Sequence, residues 1–225
     1  VCVYETDLKI GASKNLYKEA LLNVMKYRKQ IEDYTKLNPE FLRSLEPVKI
    51  KEEALVKEVS PIVGRMISAS QKAGVGPMAA VAGAISEMVG GELLKYSEEV
   101  IIENGGDLYI KTNSIRRVGV YAGDSPLNGK IALKIYPEKT PLGICTSSGT
   151  VGHALSFGKA DAAVVISKDA FLADAVATAV GNRVKSVSDI QKAMEFASKI
   201  EGIEGVLVII GDSIGAWGDI EIDGL

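Results

Sequence analysis

Hydrophobic residues in the first part of the chain recur with the spacing of amphipathic helices. Residues 1–10 alternate and predict a strand. Over residues 14–37 apolar side chains return every three or four positions, which predicts a long helix with one buried face. Asn38-Pro39 ends it. A further helix is predicted from residue 60 to about residue 73, where Gly74-Val75-Gly76-Pro77 interrupts the pattern.

Two segments are almost wholly apolar, which leaves neither of them a face for solvent. Residues 78–89 follow Pro77 and end at Gly90-Gly91, and residues 170–180 have the sequence AFLADAVATAV. Both have the length of a helix, and a helix that is apolar all round is a buried one. The sequence therefore predicts two core helices.

Alternating patterns that predict strands stand between and after these helices. Residues 100–112 predict a hairpin with its turn at Asn104-Gly105-Gly106-Asp107. Other predicted strands are 118–121, 131–135, 162–166, 206–210 and 217–222, with a helix at 188–200. This order predicts an α+β fold, a mostly antiparallel sheet packed against helices, in a single domain over residues 1–225. Each apolar helix accompanies a set of strands, which hints at an internal duplication.

The composition excludes several classes of function. With 26 Lys and Arg against 29 Asp and Glu, the chain lacks the basic excess of a nucleic-acid-binding protein. Its apolar runs are too short to span a membrane. Cys2 and Cys145 form no disulfide framework, and no signal peptide is recognisable. We therefore expect a cytoplasmic protein without a nucleic-acid or membrane partner.

One carboxylate lies inside a predicted core helix. Asp174 and Thr178 are the only polar residues of 170–180, and their i,i+4 spacing places them on one face. A buried carboxylate costs several kcal/mol unless it is paired, and no Lys or Arg lies one turn away. An Asp and a Thr hydroxyl suit Mg²⁺. Backbone amides or a distant Arg would serve equally.

Two loops have the composition of ligand-binding segments. In the predicted hairpin, Gly105 and Gly106 would let a ligand approach the backbone, with Asp107 beside it. Residues 145–150, which read CTSSGT, would suit phosphate or a polar ring edge. A plain turn needs nothing more to explain residues 104–107, and a turn with local hydroxyl-to-backbone hydrogen bonds is the alternative for residues 145–150.

His153 is the only histidine and hence the only imidazole base. A Ser147 or Ser148, His153 and Asp161 arrangement would make the chain a hydrolase. No Gly-x-Ser-x-Gly motif accompanies it.

These motifs occur together, in this order, in one superfamily. Gly83-Ala84, Asn104-Gly105-Gly106-Asp107, Thr146-Ser147-Ser148-Gly149 and residues 173–179 (ADAVATA) resemble the ApbE-like proteins, which include the FAD:protein FMN transferases. The overlap runs from about residue 75 to 182, and the whole chain looks like a short branch of that superfamily from anaerobic archaea and bacteria.

The resemblance implies a T-fold-related α+β protein and a set of site residues. It makes Asp174 and Thr178 ligands of Mg²⁺, together with a backbone carbonyl near Val81 or Ala82. It implies FAD or FMN as the phosphate-bearing ligand. The residues expected at the ligand are Asn104, Gly105, Gly106, Asp107, Thr146, Ser147, Ser148, Gly149 and Thr150, with His153 and Asp107 as catalytic candidates.

The chain departs from the flavin transferases at two positions. They carry a Lys where Ala82 stands, and a His in a motif that aligns with Ile135-Tyr136-Pro137. Two hypotheses follow: a Mg²⁺-assisted transferase of FMN or another nucleotide, and a non-catalytic accessory protein that keeps the pocket for a ligand or protein partner, for example in anaerobic sulfur metabolism. A hydrolase that uses His153 is a third.

Overall fold

Two antiparallel sheets form the framework. A computed structural model describes residues 1–49, 59–150 and 157–224. Eight strands form the larger sheet in the order β1-β2-β3-β4-β7-β8-β9-β10, and three form the smaller one in the order β11-β6-β5. The strands are β1 Cys2–Val3, β2 Thr6–Ala12, β3 Val100–Asn104, β4 Asp107–Lys111, β5 Arg116–Gly119, β6 Ile131–Ile135, β7 Leu142–Ser147, β8 Ala162–Ser167, β9 Ile203–Ile210, β10 Ser213–Gly218 and β11 Ile222–Gly224.

The helices cover one face of the larger sheet, and the smaller sheet covers the other. The helices are α1 Tyr17–Leu37, α2 Pro39–Arg43, α3 Pro61–Ala73, α4 Val81–Leu93, α5 Ala170–Arg183 and α6 Ile190–Ser198. Single 3₁₀ turns lie at Pro77–Ala80, Pro137–Lys139 and Val187–Asp189. Strand β8 is therefore covered on both faces. Ala163 and Val165 face the core on the helix side, while Val164 and Ile166 face the smaller sheet. All its residues are buried for this reason.

The predicted α+β class, with antiparallel sheets against helices, is confirmed. The single domain over residues 1–225 and the internal duplication stay predictions. Two strand predictions were wrong in detail. Residues 1–10 hold two strands, because Tyr4 takes a φ of 52° and turns the chain. Residues 217–222 are divided, because Gly218, at a φ of 88°, ends β10 before β11 joins the other sheet.

Helices α4 and α5, the two predicted core helices, cross at a glycine. A Cβ at Gly83 would overlap the carbonyl oxygen of Ala170 and lie 2.9 Å from the Cβ of Asp174. Asp169 caps α5 by accepting hydrogen bonds from the amides of Phe171 and Leu172. The close crossing places the start of α4 against the polar residue of α5.

An arginine joins the start of α5 to the middle of α4. The guanidinium of Arg65 on α3 lies 2.5 Å from a carboxylate oxygen of Glu87 on α4 and 3.1 Å from Asp169. It also lies 3.8 Å from the ring centroid of Phe171. The other Glu87 oxygen accepts the amide of Ala170 at 2.7 Å. This cluster fixes α5 relative to α3 and α4.

Among the described residues, no one helix combines the length and apolar character needed to cross a membrane. The segments Pro61–Ala73 and Pro77–Leu93 reach that measure only as a pair, which is bent by 106°.

Candidate functional site

Two cavities meet at Asp107, Asp174 and Thr178, which line both. The first, of about 340 Å³, lies between the β3–β4 turn, β7 and the smaller sheet. The second, of about 360 Å³, lies between α2, the Pro77–Ala80 turn and α5. The polar residues of 170–180 therefore stand where the two cavities join.

Asp174 is buried on α5, and no basic side chain of the described residues forms an ion pair with it. Its Oδ2 accepts a hydrogen bond from the Gly83 amide at 2.8 Å. Burial raises the pKa of Asp174 well above its usual value and the charge of Asp107 raises it further, while the amides of Gly83 and Ala82 lower it. Backbone amides, which the sequence allowed as partners of Asp174, are thus present. These amides compensate the charge of the Asp174 carboxylate only in part.

Asp107 is the second buried acid of the site. It begins β4, and its Oδ1 accepts the Thr146 amide at 3.2 Å. Burial raises the pKa of Asp107 to about 7, with the Thr146 amide and the Cys145 thiol lowering it and Glu103 raising it. In the described part of the chain, no ion pair joins Asp107 or Asp174 to a basic side chain. Two carboxylates therefore face one junction uncompensated.

The donors at this junction fit a magnesium ion. Asp174 offers a carboxylate, Thr178 stands one helical turn later and half-buried, and both line the junction. Mg²⁺ takes oxygen ligands, needs few from the protein and keeps positions for water and phosphate. No cluster of three His, Cys, Asp or Glu side chains arises within residues 1–49, 59–150 and 157–224, so they build no closed transition-metal site.

We expect the metal-free protein to lose stability between about pH 5.5 and about pH 7.5. A carboxyl group with a raised folded-state pKa contributes stability below its unfolded pKa and loses it as the pH rises through the folded value. For Asp107 that window runs from 3.8 to about 7, and the pKa values of Asp174 and Glu87 are raised likewise. Over this interval one such group costs ~2 kcal/mol, or about 5 °C in melting temperature.

Thermal unfolding followed across this pH range, with EDTA and then with MgCl2, checks the expectation. Added Mg²⁺ should flatten the decline, because it replaces the protons on the acids. A melting temperature that stays level or rises with pH in EDTA would contradict the assignment of two uncompensated acids. The pKa of Asp107 also depends on two neighbouring titratable groups, Glu103 and the buried Cys145.

The glycine turn (Gly105 and Gly106) and part of the hydroxyl loop (residues 145–150) line the first cavity, and their contact with a ligand stays a prediction. Gly105 and Gly106 have φ angles of 64° and 105°, which favour glycine. Thr146, Ser147 and Ser148 line the same cavity, and Thr146 lies beside the turn, where a Cβ on Gly106 would come within 3.9 Å of its carbonyl oxygen. The pairing of β4 with β7 thus brings the turn and the loop side by side, although they are 40 residues apart in the sequence.

Three of the expected ligand contacts lie elsewhere. Gly149 packs against Gly158 and donates its amide to Ala160. The Thr150 hydroxyl donates to a carboxylate oxygen of Asp161 at 3.1 Å. Asn104 lines a third cavity, of about 520 Å³, that also borders α1 and β2. None of the three lines the first or second cavity, and their contact with a ligand stays a prediction.

His153 lies outside the described residues, so its place relative to the site stays a prediction. Of the proposed hydrolase set, Ser147 and Ser148 line the first cavity. Both carboxylate oxygens of Asp161 are engaged, Oδ1 by Thr150 and Oδ2 by the Gly211 amide at 2.7 Å.

Several residues that line the two cavities were not predicted from the sequence. Val118–Tyr121, at the end of β5 and just beyond it, line the first cavity. Leu42, Phe157 and Asn182 line the second. A strand was predicted at 118–121, but nothing in its local sequence signals that it lines the first cavity. Gly76, in the interrupting motif, also lines the second cavity and leaves no room for a Cβ beside the Ser44 carbonyl.

The chain is similar to known proteins over nearly its whole length. The family model described as AbpE bacteria matches residues 1–221. A UPF0280 protein of Methanococcus aeolicus is 42% identical over 226 residues, which cover 98% of this chain and 89% of the relative. A UPF0280 protein of Methanobrevibacter smithii is 43% identical, with 96% and 88% covered.

Two solved structures share the fold. The apo form of the flavinyl transferase ApbE from Pseudomonas stutzeri has a TM-score of 0.57 at 13% identity, with 96% of each chain covered. A mutant of the flavin transferase ApbE from Vibrio cholerae has a TM-score of 0.57 at 12% identity, covering 94% of this chain and 93% of that one. The predicted resemblance is confirmed, and the chain belongs to the AbpE family, as an ApbE-like member of the branch that includes the archaeal UPF0280 proteins.

Proposed function

We propose that this protein binds a flavin nucleotide, FAD or FMN, together with Mg²⁺ where its two cavities join, and that it transfers the FMN half of FAD to an acceptor. The observation that carries the proposal is the pair of buried, uncompensated carboxylates, Asp107 and Asp174, at that junction. The kinship of the fold with flavin transferases supports the choice of ligand.

Asp174 and Thr178 would hold the metal. The carboxylate is oriented by the Gly83 amide, and the hydroxyl follows one turn later on the same helix face. When bound, Mg²⁺ offsets the charge of a diphosphate and of the developing transition state. The two acids in turn gain the cation that the described protein side chains do not supply.

The space on either side of the junction suits the two halves of a dinucleotide. Cavities of about 340 and 360 Å³ fall within the range of small-molecule sites. In the first, the glycine turn admits close backbone approach and the hydroxyls of Thr146, Ser147 and Ser148 offer hydrogen bonds. In the second, Val75, Met78 and Phe157 provide an apolar wall.

Transfer requires a base beside the acceptor. An acceptor hydroxyl oxygen forms a bond to the FMN-side phosphorus, the bond from that phosphorus to the bridging oxygen breaks, and AMP leaves with that oxygen. The proton of the hydroxyl passes to a carboxylate, for which Asp107 lies at the junction. His153, the other catalytic candidate, lies outside the described residues.

One observation favours binding without transfer. The described linings of the first and second cavities contain Glu103, Asp107 and Asp174 but no Lys, Arg or His. Cationic side chains are common stabilisers of a transferring phosphoryl group. The second candidate is therefore an accessory protein that binds the nucleotide, or a protein partner through it. The cytoplasmic setting expected from two unpaired cysteines is part of either proposal.

Calorimetric titration of FAD, and separately of FMN, with MgCl2 or with EDTA tests the proposal. We expect binding with Mg²⁺ and its loss with EDTA, because unscreened phosphate would face two carboxylates. Release of AMP from FAD with a Thr-containing acceptor peptide indicates transfer, and binding without AMP indicates the accessory role. Absence of binding by either flavin with Mg²⁺ present overturns the proposal.

A further inference from the structure

Asn104 is a polar residue in a position that the pattern of its strand assigns to the core. The side chains of β3 alternate, and Val100, Ile102 and Asn104 are the buried ones. Val100 and Ile102 belong to the core between the larger sheet and the helices. Asn104 is only 8% exposed, so its amide has left water and needs a partner.

That partner is a peptide group of α4. The Asn104 Nδ2 donates to the carbonyl oxygen of Ala82 at 3.3 Å. The same peptide unit carries the Gly83 amide, which donates to Asp174 Oδ2 at 2.8 Å. The planar Ala82–Gly83 peptide group is therefore hydrogen-bonded at both ends. Asn104 on β3 binds its oxygen, and the Asp174 carboxylate on α5 binds its nitrogen.

Hydrogen bonds in such a chain strengthen one another, because a carbonyl that accepts a bond polarises its own N–H group. The donor on Asn104 thus makes the Gly83 amide a better partner for Asp174. It also fixes the plane of the peptide and hence the direction from which the carboxylate is bound. No other described side chain donates a hydrogen bond to the Ala82 carbonyl.

We propose that Asn104 is a positioning residue, which orients Asp174 for the metal through the Ala82–Gly83 peptide and does not itself contact metal or nucleotide phosphate. The inference rests on the proposed function, since it presupposes that Asp174 binds Mg²⁺. It agrees with the position of Asn104, which lines the third cavity and neither of the two that meet at Asp174.

The test compares two variants that remove one hydrogen bond each. Asn104→Leu keeps the size of the side chain and restores the apolar pattern of β3. Thr6→Val serves as the matched control, because Thr6 is buried, lines the same third cavity and accepts a hydrogen bond from Arg28 at 2.7 Å without touching the Ala82–Gly83 peptide. Mn²⁺ is the probe, with the free ion counted by electron paramagnetic resonance, and melting temperature is measured in EDTA.

We expect Asn104→Leu to bind Mn²⁺ roughly 10- to 100-fold more weakly, as for other partners that orient a metal ligand, with an unchanged or higher melting temperature in EDTA. Thr6→Val should show the reverse, a lower melting temperature and unchanged Mn²⁺ affinity, because it orphans a donor of Arg28. Asn104→Ala, which adds no atoms, repeats the comparison if the Leu variant does not fold.

Two other results have distinct meanings. If Asn104→Leu and Asn104→Ala bind Mn²⁺ as the wild type does, the positioning role is overturned and the proposed metal site stands. If the wild type itself binds no Mn²⁺, the proposed function fails first, and with it the inference.

Discussion

Replacement of Asp174 with Asn should abolish Mg²⁺-dependent FAD binding and at the same time stabilise the metal-free protein. The variant removes the carboxylate that would hold the metal, so we expect metal affinity to fall by about 100-fold or more. It also removes one of two buried charges that repel each other. Without metal at about pH 8, the melting temperature should therefore rise by about 5 °C.

Asp161→Asn is the matched control. Asp161 is also buried, but both of its oxygens accept hydrogen bonds and it lines neither cavity. An Asn there presents a donor to Thr150 or Gly211, so this variant should be less stable and still bind FAD with Mg²⁺. Calorimetry and thermal unfolding measure both effects. Undiminished binding by Asp174→Asn would remove the site.

Replacement of Gly83 with Ala should destabilise the protein by about 3 kcal/mol and remove the site with it. The added Cβ meets the Ala170 carbonyl and the Asp174 Cβ, and neither can turn away as a flexible side-chain end would. Helices α4 and α5 would have to separate, and the Gly83 amide would leave Asp174. Urea unfolding measures the loss.

Gly91→Ala on the same helix is the control for the general effect of the exchange. A Cβ there has no atom within 4 Å, and the position is exposed. Alanine should therefore stabilise α4 by about 0.8 kcal/mol through its higher helix propensity. The same exchange is thus expected to have opposite effects at two positions of one helix, which separates packing from propensity. A Gly83→Ala variant of wild-type stability would show that the helices are not in close contact.

The sequence predicted those parts of the site that depend on one local pattern. The apolar run around Asp174 indicated a buried helix, and the i,i+4 spacing of Thr178 indicated a shared face. The amide partner at Gly83 was not predictable, because it lies 91 residues away and depends on how α4 crosses α5. The same holds for Val118–Tyr121, which line the first cavity because one sheet packs on the other.

Asn104 lies on a different side of the turn from its neighbour Gly105. The family resemblance implied both as ligand contacts, and for Asn104 that contact stays a prediction. In the structure its strand turns it to the other side, towards α4 and the third cavity. The alternation of β3 contained this information, since Val100, Ile102 and Asn104 share a face.

The meeting of two cavities at three side chains has a consequence for the order of events. A ligand that occupies both cavities would pass directly over Asp107, Asp174 and Thr178 and would close the approach of bulk ions to them. If the proposed function holds, the ion should load before the nucleotide. We therefore expect a bound cation to exchange more slowly while a nucleotide is present than in its absence.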